Sequence, residues 1–139
     1  MAISGFVNIA EKNNKGASEN PRVVIIGAGF GGLWAARAFA RENVDVTVID
    51  KNNYHTFLAL LYQVAAAELE AEQIAYQIRT IFRKQKNIDF ILAKAQKIDC
   101  QKKSVLTDGG VIDYDYLILA AGSVAETFNI PGVEEHAYF

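Results

Sequence analysis

The sequence contains very little cysteine and no long hydrophobic run. Among its 139 residues Cys100 is the single cysteine, which excludes an internal disulfide and every chemistry that needs a pair of thiols in this chain. The longest apolar run, residues 57–67, is far shorter than the roughly 20 residues needed to cross a bilayer. We therefore expect a cytoplasmic location, with any membrane contact limited to the surface.

The sequence also lacks an excess of positive charge. Its net charge is -2, and no basic face stands out, so nothing in the composition favours nucleic acid as a partner. The first twenty residues have neither the basic start nor the apolar core of a signal peptide. We predict a flexible polar extension over residues 1–20, one domain over residues 21–139 and no metal site.

A strand, a helix and a second strand follow one another closely in residues 23–49. The run VVII at 23–26 is wholly apolar, as in a parallel strand buried on both faces. A helix from Gly32 to about Glu42 places Leu33 and Ala36 on one stripe, and VDVTVI at 44–49 has the composition of a strand. These residues predict a βαβ unit.

The remaining residues predict an α/β fold with two kinds of sheet. Residues 52–67 are irregular, whereas 68–84 have apolar residues at helical spacing, with acids first and bases last. From residue 88 short runs flank a turn at Asp108, Gly109 and Gly110, which predicts an antiparallel β-meander. The apolar run YLILA at 116–120 is expected to return to the parallel sheet.

The glycines after the first strand have a spacing suited to a dinucleotide. Gly27 permits a sharp turn, Gly29 lets a pyrophosphate approach the backbone, and Gly32 allows close packing of the helix. Asp50 ends the next strand, where an acid accepts hydrogen bonds from ribose hydroxyls and repels a 2′-phosphate. FAD and NAD remain candidates, and the alternative is a glycine-rich turn without a ligand.

Longer blocks of sequence resemble one family of flavoenzymes. The blocks are GAGFGG, VIDKNNYHTFLALLYQVA, IAYQIR, YDYLILAAGS and FNIPGVEEHA. Together they are similar to the N-terminal FAD-binding region of type II NADH dehydrogenases, within the pyridine nucleotide-disulfide oxidoreductase superfamily. The resemblance implies a Rossmann-like FAD-binding domain with a parallel sheet and an antiparallel β-meander, truncated before the NADH domain.

The same resemblance implies which residues hold FAD. It places the glycine-rich turn at the pyrophosphate, Asp50 at the adenosine ribose with Lys51 beside it, and a meander residue at the adenine. Two residues after the returning strand would lie near the flavin, where a larger side chain would obstruct approach. The implied FAD-binding residues are Gly27, Gly29, Phe30, Gly31, Gly32, Asp50, Lys51, Ala95, Ala121 and Gly122.

The activity implied for the longer protein is NADH:quinone oxidoreduction. Hydride would pass from NADH to FAD and electrons then to quinone, with NADH bound in a second domain. We expect no catalytic residue in this chain, no catalysis by it alone, and a parent protein peripheral on the cytoplasmic face of a membrane. Exposed apolar surface would favour a homodimer or an oligomer with exchanged elements.

There are two alternatives to the interpretation as an NADH:quinone oxidoreductase. The chain could be an inert dinucleotide-binding or scaffolding module, or a fragment of another FAD- or NAD-linked oxidoreductase. Relatives of glutathione reductase carry a cysteine pair soon after the second strand, whereas residues 52–67 contain no cysteine. Sulfide:quinone reductases also rely on cysteines, and Cys100 by itself cannot form their relay.

Individual side chains of the irregular segment, and two outside it, also have predicted roles. Tyr62 and Gln63 could orient a flavin or quinone carbonyl, with packing of a turn on the core as the alternative. We predict that His55 is a hydrogen-bonding loop residue and that Trp34 is a packing residue of the first helix. His136 is expected to be exposed.

The chain departs from the family pattern at two prolines. Ala59 and Gln77 occupy positions where the relatives usually have proline. Because proline interrupts helices, Gln77 is expected to lengthen the helix over 68–84. Neither position belongs to the phosphate-binding turn, so these changes affect the expected shape of the quinone side and not FAD binding.

Overall fold

The structure, a computed structural model, describes residue 9 and residues 19–137. The described residues form three sheets and five short helices, which together make an α/β fold. The strands are β1 (Arg22–Ile26), β2 (Asp45–Asp50), β3 (Tyr54–Thr56), β4 (Ala75–Gln77), β5 (Ile88–Leu92), β6 (Ala95–Asp99), β7 (Ser104–Thr107), β8 (Gly110–Asp113) and β9 (Tyr116–Leu119). The helices are α1 (Phe30–Ala38), α2 (Leu61–Ala65), α3 (Ala71–Ile74), α4 (Ile78–Phe82) and α5 (Val133–His136), with a 3-10 turn at Leu58–Leu60.

A four-stranded parallel sheet forms the centre of the molecule, in the order β5-β2-β1-β9. Val23 and Ile25 of β1 join a core cluster with Leu33 and Ala36 of α1. Their neighbours along the strand, Val24 and Ile26, join a second cluster that includes residues of the meander. Both faces of β1 are therefore buried, which explains its uninterrupted apolar sequence.

The strand β5 belongs to the parallel sheet, so its assignment to the meander was wrong. Ile88 and Phe90 lie in the cluster with α1, while Ile91 and Ala93 lie in the cluster with the meander. A strand buried on both faces suits the interior of a three-layer arrangement. The antiparallel meander consists of β6, β7 and β8, and its turn at Asp108 and Gly109 confirms the predicted hairpin connection.

The continuous helix predicted over residues 68–84 was also wrong. Its residues form α3, strand β4 and α4, and β4 pairs with β3. Ile74 and Ile78 are both buried, four residues apart. A separation of four fits one face of a helix and one face of a strand equally well, so the spacing did not distinguish them. Gln77 consequently lies in a strand and lengthens no helix.

Ile9 is the one described residue ahead of residue 19, and it is buried. It belongs to the cluster that includes Val24, Val105 and Ile112. Its side chain lies beside the β7–β8 turn, where a Cβ added at Gly109 would be 3.0 Å from Ile9 Cδ1. Residues 1–8 and 10–18 of the predicted extension 1–20, and residues 138–139, lie outside the described part of the chain, so the flexible extension stays a prediction.

Candidate functional site

The carboxyl ends of three parallel strands bring the glycine-rich turn, Asp50 and the segment after β9 together. The Gly27 N–H donates to the Ile49 carbonyl at 2.8 Å, and the Ala120 N–H donates to the Ile26 carbonyl at 2.8 Å. These bonds continue the sheet one residue beyond β1. Ligands of open α/β sheets bind outside this edge, so it is the candidate site.

Gly27 and Gly32 are required by close backbone approach. A Cβ at Gly27 would lie 2.1 Å from the Ala120 carbonyl oxygen, and Gly27 has a φ of +102° that side chains disfavour. A Cβ at Gly32 would lie 1.8 Å from the Gly27 carbonyl oxygen. These two glycines therefore serve the turn and the packing of α1 on it.

Gly29 faces open space, unlike Gly27 and Gly32. A Cβ built there meets no atom within 4 Å, and its backbone is extended with φ -72°. Gly29 is the N-cap of α1, and no side chain caps the helix and no acid occupies its first turn. The first N–H groups of a helix have no intrahelical partner and attract anions. The absent Cβ and the uncapped amides leave room and donors for a phosphate group.

The carboxylate of Asp50 points to the glycine-rich turn. One oxygen accepts a hydrogen bond from the Ala28 N–H at 2.6 Å, and the other accepts one from the Asn52 N–H at 2.8 Å. Two carboxylate oxygens offer about four acceptor positions, so positions remain for ligand hydroxyls. Asp50 thus joins the turn after β1 to the turn after β2.

The other predicted site residues lie around the same edge to different degrees. Gly31 has room for a side chain, since its nearest neighbour would be the Ala120 Cβ at 3.7 Å. The Ala121 Cα lies 3.2 Å from the Cβ position of Gly27, and Gly122 has a φ of +72° with open space beside it. Ala121 therefore borders the turn, and Gly122 follows it in the chain.

Lys51 and Ala95 follow the ends of neighbouring strands. Lys51 is exposed beside Asp50. Asp50 pairs with Leu92 at the end of β5, and Ala95 begins β6 three residues later. The topology brings Ala95 to the same side of the sheet, and it packs against the cluster under the meander.

The side chain of Phe30 points away from the turn into an aromatic cluster that sequence reasoning missed. Its ring meets those of His55 and Phe57 edge to face, at centroid distances of 4.8 and 5.1 Å. His55 is buried, and its Nδ1 lies 3.1 Å from the Ala28 carbonyl oxygen, which confirms it as a hydrogen-bonding residue. It lies in strand β3, so its prediction as a loop residue was wrong. Phe30, Leu33, Trp34 and Arg37 share a face of α1, and that spacing was the available signal.

Trp34 is exposed over 66% of its surface, so its prediction as a packing residue was wrong. The Arg37 guanidinium lies over its ring at 5.7 Å. Tyr62 is likewise 66% exposed, and α2, which contains it, has no buried residue. The backbone carbonyl of Gln63 accepts a hydrogen bond from the Glu68 N–H at 2.8 Å. His136 is exposed, as predicted.

Residues 21–139 match the family of pyridine nucleotide-disulphide oxidoreductases. The chain belongs to this family. The match spans nearly the whole α/β unit, including the glycine-rich turn, Asp50 and the segment after β9. Membership accounts for the combination of a parallel sheet with an antiparallel meander.

Relatives within this family include quinone reductases. The chain is 35% identical over 126 residues to the type II NADH:quinone oxidoreductase of Staphylococcus aureus strain NCTC 8325, covering 88% of this chain and 31% of that protein. The NDH2 of Plasmodium falciparum solved in complex with NADH is 28% identical, with a TM-score of 0.72, over 86% of this chain and 26% of that one.

Sulfide:quinone oxidoreductase has a similar fold as well. The Aquifex aeolicus enzyme is 32% identical with a TM-score of 0.74, over 83% of this chain and 27% of that one. The chain therefore spans less than a third of the length of these relatives. The shared architecture does not by itself separate the two quinone-reducing classes.

The described residues form neither a metal-binding cluster nor a membrane-spanning helix. Within residue 9 and residues 19–137, no group of three or more His, Cys, Asp or Glu side chains could hold a metal ion. No helix in that part of the chain is long and apolar enough to span a membrane.

Proposed function

We propose that this chain binds FAD at the carboxyl edge of the parallel sheet. The observation that carries the proposal is the open face of Gly29 at the uncapped start of α1, with the Asp50 carboxylate beside it. Anionic phosphates are stabilised by free N–H groups and by the helix dipole at such a position. Backbone donors suffice, so no lysine is needed in the turn.

Each residue of the site has a proposed place along the cofactor. The amides of Gly29, Phe30, Gly31 and Gly32 would donate to the pyrophosphate, with Gly27 shaping the turn. Asp50 would accept hydrogen bonds from the ribose hydroxyls, and its charge would disfavour a 2′-phosphate. The remaining assignments are Lys51 beside the ribose, Ala95 at the adenine, and Ala121 and Gly122 at the flavin.

We further propose that the longer protein is an NADH:quinone oxidoreductase. The support is the 35% identity to a type II NADH:quinone oxidoreductase, although the chain spans only 31% of that relative. Bound FAD would supply two-electron acceptance from NADH and electron donation to quinone. The contribution of this chain would be to bind and orient the cofactor, while NADH would bind in a second domain.

The absence of a cysteine pair in residues 52–67 supports direct transfer over a thiol relay in that segment. We infer that the isolated chain does not oxidise NADH and that the parent protein associates peripherally with the cytoplasmic face of a membrane. The exposed apolar residues of 57–62 and of β9 support self-association of the chain, as a homodimer or with exchanged elements.

The direct test is cofactor binding by the purified chain. We expect yellow flavin absorbance, or a rise in thermal midpoint on adding FAD, with a much smaller rise on adding FMN, which lacks the second phosphate and the adenosine. A colourless protein that FAD does not stabilise would instead favour an inert scaffolding module. Rapid NADH oxidation with a soluble quinone would contradict the inferred lack of activity.

A further inference from the structure

A cavity lies beside α1, where the side chains of that helix face the β3–β4 hairpin. It has a volume of about 290 Å³ and lies between α1, the β3–β4 hairpin and α4. Four of its eight lining residues are aromatic rings from three segments: Phe30, Trp34, Phe57 and Tyr76. Trp34 and Tyr76 are 66% and 54% exposed, so the cavity opens to solvent between them.

One buried polar group also lines this cavity. His55 is only 8% exposed, and its Nδ1 lies 3.1 Å from the Ala28 carbonyl oxygen. Because a carbonyl only accepts, the Nδ1 atom must carry the hydrogen in the neutral ring. The other ring nitrogen, Nε2, is then an acceptor. The edge of Phe30 against the imidazole holds the ring in this orientation.

The lining residues define the chemistry of a suitable ligand. They include no carboxylate, and their one permanent charge, Arg37, already lies over the Trp34 ring. Aromatic walls favour a planar aromatic molecule, stacked or edge to face. A volume at the lower end of the range for ligand pockets limits the molecule to one or two rings. The Nε2 acceptor of His55 favours a ligand with a hydrogen-bond donor.

We propose that this cavity is a binding site for small phenols, with the ligand hydroxyl donating to His55 Nε2 and the ring held between Phe57, Trp34 and Tyr76. This site goes beyond the proposed binding of FAD, because it uses the side chains of α1 that face the β3–β4 hairpin and not the amides at the start of the helix. Its occupation can be measured whether or not FAD is bound.

The single tryptophan of the chain reports on the site directly. Trp34 emission is followed while 4-ethylphenol, or its methyl ether 4-ethylanisole, is added to the purified chain. We expect a saturating change with both and about three- to tenfold weaker binding of the ether, which cannot donate a hydrogen bond. No saturable change, or equal affinity for the two compounds, would overturn the proposal.

Substitutions of the lining residues test where the phenol ring binds. Tyr76→Ala removes one wall and is expected to weaken 4-ethylphenol about threefold or more. Tyr116→Ala removes another exposed tyrosine, which lies outside the cavity, and should leave the affinity unchanged. His55→Phe keeps a ring but removes the acceptor, so the phenol and the ether should bind alike. If that variant does not fold, the Tyr76 and Tyr116 pair still decides.

A different occupant would give a different result. If a second copy of the chain fills the cavity, Trp34 emission will depend on protein concentration and 4-ethylphenol will compete with the dimer rather than bind a monomer. That outcome would overturn the proposal of a small-molecule site. Equal effects of Tyr76→Ala and Tyr116→Ala would do the same.

Discussion

At the scale of single residues, the glycines of the turn after β1 have different structural roles. Gly32 and Gly27 are demanded by contacts of one backbone segment with another, at 1.8 and 2.1 Å from a hypothetical Cβ. A Cβ at Gly29 would meet no atom within 4 Å, so packing does not require a glycine there. This open position at an uncapped helix start supports the proposed approach of the pyrophosphate to Gly29.

The contrast between Gly29 and Gly32 yields a matched pair of variants. Gly29→Val is expected to lower the free energy of unfolding by no more than about 1 kcal/mol, the cost of an apolar residue at an N-cap, because the added side chain enters open space. It should nevertheless weaken FAD at least about tenfold, equivalent to about 1.4 kcal/mol, since the side chain would occupy the phosphate position. Urea unfolding and FAD titration measure the two effects.

Gly32→Ala is the control for that pair. Its Cβ would clash with the Gly27 carbonyl, and overpacking of this kind costs about 1–3 kcal/mol or more of unfolding free energy. If Gly29→Val bound FAD as well as the unaltered chain, the assignment of the pyrophosphate to this turn would be wrong. If it unfolded as readily as Gly32→Ala, Gly29 would be a structural residue.

Asp115 joins the start of β9 to the start of β1. Its carboxylate accepts hydrogen bonds from the Arg22 side chain at 3.3 Å and from the Arg22 backbone N–H at 2.7 Å. These bonds, the one from the side chain first, lower the pKa of Asp115. A lowered folded-state pKa stabilises the fold above the ordinary value of about 3.9, and the effect is lost as the pH falls through the folded value.

We therefore expect Asp115→Asn to lower the free energy of unfolding at neutral pH and to have no effect once the pH is well below the folded-state pKa of Asp115. Urea unfolding at several pH values gives the comparison. Asp113→Asn is the control, because its carboxylate only approaches Arg22, at 3.9 Å. A loss of stability for Asp115→Asn that stays constant down to strong acid would show that the carboxylate charge is not responsible.

At the scale of elements, the β3–β4 hairpin interrupts what the periodicity indicated as a helix. The Ile78 N–H donates to the Asn53 carbonyl, and the Phe57 N–H donates to the Ile74 carbonyl. Hydrogen-bonded and non-bonded pairs alternate in an antiparallel ladder, so the pair of Tyr54 and Gln77 is a non-bonded one. The N–H of Gln77 is therefore outside the ladder.

Gln77 can thus be replaced by proline without loss. Its φ of -63° and ψ of 123° are the values that proline adopts, and the preceding Tyr76 is in a strand, as proline prefers. We expect Gln77→Pro to raise the free energy of unfolding by about 0.4–1 kcal/mol, through a less flexible unfolded chain. Urea unfolding measures the change.

Tyr76→Pro provides the control for this element, because Tyr76 and His55 form the hydrogen-bonded pair of the ladder. The loss of that N–H should lower the free energy of unfolding. Destabilisation by Gln77→Pro as large as that by Tyr76→Pro would contradict the observed register of the hairpin.

At the scale of the whole molecule, β9 forms one edge of the parallel sheet within the described residues. Leu119 and Tyr116 of this strand are 66% and 65% exposed. An apolar strand at a sheet edge is a template for pairing with another chain. In the described part of the chain this edge is the clearest candidate for the proposed self-association.

We expect the purified chain to sediment as a dimer or larger species at high concentration, and Leu119→Lys to shift it toward monomer. Charged residues on an edge strand oppose such pairing. Leu106→Lys, on an exposed position of the meander, is the control and should leave the distribution unchanged. A monomer at all concentrations, measured by analytical ultracentrifugation, would exclude the proposed association.

The glycine-rich turn, its strands and Asp50 could be predicted from the sequence because their determinants are local. Backbone geometry at Gly27, the apolar run of β1 and the strand-end position of Asp50 are set by neighbouring residues. The break at residues 75–77 and the place of β5 could not be predicted this way. Ile74 and Ile78 fit both the helical period and the strand period. Strand β4 pairs with β3 and strand β5 pairs with β2, and both partners are distant in the sequence and joined through backbone hydrogen bonds.

The aromatic cavity likewise could not be predicted from the sequence. Phe30, Phe57 and Tyr76 belong to three separate segments, and no spacing in the sequence connects them. They meet because the β3–β4 hairpin folds over α1, and His55 then bonds to the Ala28 carbonyl. The sequence thus determined the glycine-rich turn at the end of β1. Long-range packing alone determined which side chains line the cavity, because contact energies depend on distance in space and not along the chain.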